Sequence, residues 1–166
     1  MHTRRTFLTM SAGLAASLLV KPASAQAPAQ PFVAYDDELK NGWQNWSWAK
    51  VELAKPIGGA KPIRVEGDPW SALMLHHDAF STEGYTKLTF AINGGKEGGP
   101  SLTIKAMADG KAIESDFIIQ PKAKAWTTVE VPLKQIGAEG KKIDGFAWQA
   151  QGNAYSAYYV TRIQLE

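Results

Sequence analysis

The chain contains no cysteine. No disulfide can staple it and no thiolate can act as nucleophile or metal ligand, so the domain has to be held by packing alone. Histidine is nearly as scarce, limited to His2, His76 and His77, and beyond the first five residues arginine occurs only as Arg64 and Arg162. That sparsity excludes the arginine-rich surface of a nucleic-acid binder. Also missing are a G-x-S-x-G elbow, a Walker motif, a G-x-G-x-x-G turn and a haem-attachment pair, and with them the common hydrolase, nucleotide and haem chemistries. No heptad, tandem repeat or long amphipathic helical pattern is present either.

What is present begins with Arg4 and Arg5, followed by Thr6, Phe7 and Leu8 and an apolar run from Phe7 to Val20. Lys21 and the triplet Ala23, Ser24, Ala25 close it. A charged region, a short hydrophobic region and an A-x-A site in this order read as an export signal over residues 1–25. The run is 14 residues long, short of the roughly 20 that a helix needs to cross hydrocarbon, so no span is expected in the mature chain. The adjacent arginines ahead of Thr-Phe-Leu resemble the twin-arginine type, which implies a periplasmic or secreted protein. Removing Arg4, Arg5 and Lys21 leaves 15 basic residues against 16 acidic ones, so the basic isoelectric point of the precursor carries no information about partners.

Residues 26–31 are Gln, Ala and Pro only, a tether with nothing to bury. From Phe32 to Glu166, short β-branched or aromatic runs alternate with breakers such as Gly58-Gly59, Asp68-Pro69, Gly94-Gly95 and Gly152-Asn153. Leu88, Phe90 and Ile92 share one face of a strand, as do Leu102, Ile104 and Ala106, and Val129, Val131 and Leu133. Asp109-Gly110 predicts a tight hairpin between Ala106 and Ile113, because that turn needs the positive φ that Asp and Gly adopt cheaply. One helical turn is expected over Leu133–Ala138, after Pro132. The pattern is that of a single all-β sandwich.

Several segments carry a resemblance: Val33 to Asp37, Asn41 to Trp48 (Asn-Gly-Trp-Gln-Asn-Trp-Ser-Trp), Leu73 to Asp78, Leu88 to Gly95, Phe146 to Gln149 and Tyr158 to Ile163. In order and content they resemble the successive strands of carbohydrate-binding-module-like domains with a galactose-binding-like jelly roll. The resemblance implies a jelly-roll β-sandwich that binds poly- or oligosaccharide. A sugar ring stacks its C–H face on an aromatic plane while its hydroxyls meet amides and imidazoles at the rim. Trp43, beside Gly42, and Trp70, beside Pro69, are expected in loops as stacking surfaces. Trp46 and Trp48 share a strand face, and some of the Trp43, Trp46, Trp48 set is expected to fill core. Trp148 is expected in the core, with Gln149 and Gln151 facing the other way. Gln44, His77, Gln149 and Gln151 are the expected hydrogen-bonding partners of a sugar.

The resemblance also implies a structural calcium, for which Asp36 and Asp37 match the first-strand acids. Where the family pattern has a closing acidic pair, this chain has Thr161 and Arg162, so Arg162 could pair with a first-strand acid instead. His76, His77 and Asp78 supply too few ligands for a transition metal. Two other readings stand beside sugar binding. One is a small polysaccharide-active enzyme using acids such as Asp68, Asp78 and Asp144. The other is an assembly module for another exported protein, its tryptophans forming a flat apolar patch rather than a walled pocket.

Overall fold

The computed structural model describes residues Gln30–Glu166. The twin-arginine-type signal and all of the tether before Gln30 lie outside the described residues. The chain forms two packed antiparallel sheets, a β-sandwich of the jelly-roll type. One sheet has seven strands. Its main path runs β11 (Trp126–Pro132), β7 (Lys87–Asn93), β13 (Tyr155–Leu165), β1 (Phe32–Asp36) and β2 (Glu38–Leu39). β5 (Ile63–Gly67) pairs with the first half of β13 and carries β4 (Lys50–Glu52) on its other edge. The second sheet has six strands, in the order β10 (Ile118–Ile119), β8 (Leu102–Ala108), β12 (Lys142–Ala150), β6 (Ala72–Ser81) and β3 (Gln44–Asn45), with β9 (Lys111–Ala112) paired to β8.

Alternation places the core where the sequence pattern puts it. Leu88, Phe90 and Ile92 of β7 and Leu102, Ile104 and Ala106 of β8 point between the sheets and are buried. Val131 and Leu133 are buried as well, with Val129 half-buried at the margin. Trp148 of β12 is fully buried and meets Phe90 edge-on at a ring separation of 5.3 Å. The Asp109-Gly110 hairpin forms between β8 and β9, with φ of 50° and 70°, the left-handed pair that a two-residue turn requires. A single turn of 3-10 helix, Leu133–Ile136, follows Pro132 and ends at Gly137 in the left-handed region. The segment between Trp43 and Leu53 supplies β3 to the six-stranded sheet and β4 to the seven-stranded one, so it crosses from one sheet to the other.

Candidate functional site

The outer face of the six-stranded sheet is built in rows that run across its three central strands. Register places Ala72, Gln149 and Thr103 side by side in one row, and Met74, Ala147 and Lys105 in the next. His76, Gly145 and Met107 form the third. Met74, Met107 and Ala147 are buried as a small apolar cluster apart from the main core. With alanine and glycine between them, the middle of this face is low. A Cβ on Gly145 would meet the Leu75 carbonyl at 2.4 Å and the Met74 methyl at 3.3 Å, so that row stays shallow because only glycine fits.

Along the β3 edge the floor rises into an aromatic border. The extended segment after Trp43 hydrogen-bonds to β6 through Trp46 N–H to the Met74 carbonyl (2.9 Å) and Trp48 N–H to the Ala72 carbonyl (3.2 Å). Between them, the Met74 N–H donates to the Ser47 hydroxyl (2.9 Å), which itself donates to Asn45 Oδ1 (2.6 Å). Trp46 lies flat on His76, ring centroids 3.5 Å apart and planes 16° from parallel. One face of its indole is therefore supported and the other faces solvent. Its Nε1 donates to Gln44 Oε1 at 2.9 Å.

Trp70 completes the border from the loop before β6. Its φ is 65°, a conformation that costs a bulky L-residue free energy and persists only when its surroundings enforce it. The enforcing contacts converge on its carbonyl oxygen, which accepts from Trp48 Nε1 (3.0 Å) and Gln149 Nε2 (3.2 Å). One oxygen thus joins the β3 edge, the loop before β6 and the central strand β12. Trp46, Trp48 and Trp70 are each more than half exposed. Lys105 is the cation of the central rows and has no ion-pair partner among the described residues.

The structure brings together Gln44, Trp70 and Gln149 of the expected set and adds Trp46, Trp48 and His76. Trp43 is a correction: expected in a loop, it is 4% exposed and packs between Phe146 (6.1 Å, near parallel), Phe32 and Phe80. Its position has the opposite strand parity to Trp46 and Trp48, so it faces inward. His77 is likewise on the inner side, its ring edge-on to Phe32 and Phe80, with Nε2 2.9 Å from the Asn41 carbonyl and Nδ1 2.6 Å from the Asp78 carbonyl; a neutral imidazole donates to one of the two. Gln151 borders the first row of the outer face, donating to the Thr103 hydroxyl at 2.8 Å, and also lines a cleft of about 440 Å³ between the Glu97–Ser101 and Gln151–Ser156 loops.

Of the candidate acids, Asp68 precedes β6, while Asp78 and the buried Asp144 lie across from one another at the β6–β12 bulge, where the register steps from Ile143–Phe80 to Gly145–His76. Asp144 accepts from the Gly110 N–H at 2.8 Å. Asp36 is exposed and Asp37 accepts from the Lys61 N–H at 2.7 Å. No group of three His, Asp or Glu residues placed to hold a metal ion occurs among the described residues. Arg162 makes no ion pair with either acid, because β13 carries it onto the outer face of the seven-stranded sheet, where it lines a hollow with Thr161 and Trp126.

Fold and site together define a jelly-roll β-sandwich that carries an open aromatic platform on one sheet. No protein-family profile matches the chain. Among curated proteins it is 26% identical over 141 residues to an endoglucanase of Dictyostelium discoideum, in an alignment covering 78% of this chain. The chain spans 20% of the length of that relative. Among solved structures, a mutant family 29 carbohydrate-binding module superposes with a TM-score of 0.64 at 16% identity, covering 83% of this chain and 92% of that one. Two further mutants of the module were solved with cellulohexaose (TM-score 0.61, 14% identity, 82% and 89% covered) and with mannohexaose (0.62, 15%, 84% and 92%). At these identities the likeness is one of fold.

Proposed function

We propose that the protein binds a neutral, extended polysaccharide, without cleaving it, on the outer face of the six-stranded sheet. The observation that carries this reading is the Trp70 carbonyl held jointly by Trp48 and Gln149, which fixes exposed indoles and an amide on one face before any ligand arrives. Pre-set aromatic planes suit pyranose rings, because stacking then requires little further ordering of the protein. The open floor admits a chain that continues past the site at both ends, as a polymer must. Gln44, Gln149 and Lys105 supply donors and acceptors for ring hydroxyls. β-Linked glucan or mannan is the class proposed, in keeping with the hexaoses carried by the structural neighbours and with the endoglucanase relative. The signal over residues 1–25 supports a site of action outside the cytoplasm.

The test is affinity electrophoresis of the purified protein in soluble β-glucan and mannan, with calorimetric titration of cellohexaose and mannohexaose. Retardation that Trp46→Ala and Trp70→Ala abolish supports the reading; no retardation in either polymer overturns it. A reducing-end assay on the same substrates separates binding from hydrolysis. The openness of the face also suits an exported protein partner. Capture of one protein from a periplasmic extract that cellohexaose does not displace would favour that reading.

A further inference from the structure

The outer face of the seven-stranded sheet holds a second solvent-facing tryptophan site, unrelated to the platform. Trp126 opens the edge strand β11 and is 44% exposed. It forms the common wall of two hollows of about 290 Å³ each. One has a nearly apolar surface and is lined by Ile57, Tyr159, Asn93, Gly95, Lys96 and Lys124; the other is lined by Ala60, Ala91, Thr128, Thr161 and Arg162. Lys96, Lys124 and Arg162 make no ion pair among the described residues.

Two of these cations stand on left-handed backbone, Lys124 at φ 55° and Arg162 at φ 53°. Arg162 sits where the pairing of β13 with β7 slips between Thr161 and Gln164, a bulge that turns both Thr161 and Arg162 outward. Thr161 is 5% exposed and lines the second hollow; its hydroxyl is closed off from solvent and has no hydrogen-bond partner among the described residues. Arg162 also lines the neighbouring hollow toward the end of β13, together with Glu130 and Glu166, both of which pair with Lys87 and not with Arg162.

We propose that Trp126 and the hollows on its two sides bind an acidic saccharide, a chain of hexuronate residues whose ring stacks on the indole and whose carboxylates meet Lys124 and Arg162. Charge complementarity selects this occupant: Lys96 and Lys124 line the hollow on one side of Trp126 and Arg162 the hollow on the other, all three without an ion pair among the described residues, and Asn93 and Thr128 are present for hydroxyls. The ligand on the platform is neutral and on the opposite sheet, so the two sites are independent and can be filled together.

The experiment titrates the purified protein with hexagalacturonate, hexamannuronate, cellohexaose and a poly-glutamate peptide of equal charge, at low and moderate salt. Uronate binding is expected to weaken at least tenfold with Trp126→Ala and severalfold with Arg162→Gln, and to weaken with added salt. Trp46→Ala should leave it unchanged, and Trp126→Ala should leave cellohexaose binding unchanged. Arg162→Gln removes only an exposed side chain, so it remains informative should Trp126→Ala fail to fold. Uronates that bind no better than at background, that bind equally well to Arg162→Gln, or that are lost with Trp46→Ala instead overturn the proposal. Equal or tighter binding of the poly-glutamate peptide overturns it in favour of an acidic protein segment on the β11 edge.

Discussion

Trp70 offers a substitution whose effects on stability and on binding separate. Alanine and glycine at this position remove the same indole but differ in backbone. In the left-handed region an L-residue costs roughly 1–2 kcal/mol that glycine does not, offset by the about 0.4–1 kcal/mol that glycine loses through its freer unfolded chain. Trp70→Gly is therefore expected to be more stable than Trp70→Ala by about 0.5–1 kcal/mol, the reverse of the order found at ordinary strand positions. Both lose the same stacking surface. If a pyranose covers about 50 Å² of indole, at ~25 cal/mol per Å² the loss is about 1.3 kcal/mol, or roughly tenfold in Kd. Urea unfolding followed by circular dichroism gives the first quantity and calorimetry with cellohexaose the second. Alanine proving the more stable would refute the backbone argument. Unchanged binding in both variants would remove Trp70 from the platform.

Trp43→Ala should lower stability by about 3–5 kcal/mol, as for other buried aromatics, whereas Trp46→Ala should change the urea midpoint little and cost binding instead; a binding defect in folded Trp43→Ala would contradict its placement in the core. Tyr158 is buried with no partner for its hydroxyl, and burial pushes that hydroxyl well above its ordinary 10. The unfolded chain therefore loses its proton first, and stability should fall as pH rises from 10 toward the folded value. Tyr158→Phe should be neutral or stabilising by about 1 kcal/mol and should lessen that alkaline fall, read as the urea midpoint at pH 8 and pH 10.5. Hydrogen bonds from Arg64 and then Lys50 hold Glu66 at about 2, against an ordinary 4.5. Its contribution is present above 4.5 and lost as pH falls through 2, so Glu66→Gln should flatten the acid limb of the stability profile.

The sandwich was legible wherever one strand face is wet. β7 and β8 alternate cleanly, and Asp109-Gly110 specifies its hairpin through backbone chemistry alone. The platform was harder to read because its floor is apolar on both sides of the sheet. Ala72-Leu73-Met74-Leu75 shows no alternation, so nothing in that run tells whether His76 or His77 faces outward. Trp43 was misplaced because a neighbouring glycine suggests a loop, whereas side-chain parity along an extended segment decides which indole is buried. The parity that joins Trp46 to Trp48 also excludes Trp43 from their face. The role of the Trp70 carbonyl depends on Gln149, 79 positions away, and no local pattern encodes that contact.

The pairing of β1 with β13 sets Phe32 opposite Leu165, so the two ends of the domain leave from one pole of the molecule. A pulling force between those ends loads that ladder at its terminus and parts its bonds in succession, as a zip opens. A force between the N-terminal strand and the aromatic platform takes another path, from one sheet to the other through the packed interior. The domain should therefore be mechanically soft when stretched end to end and stiff when loaded between its N-terminal strand and that face.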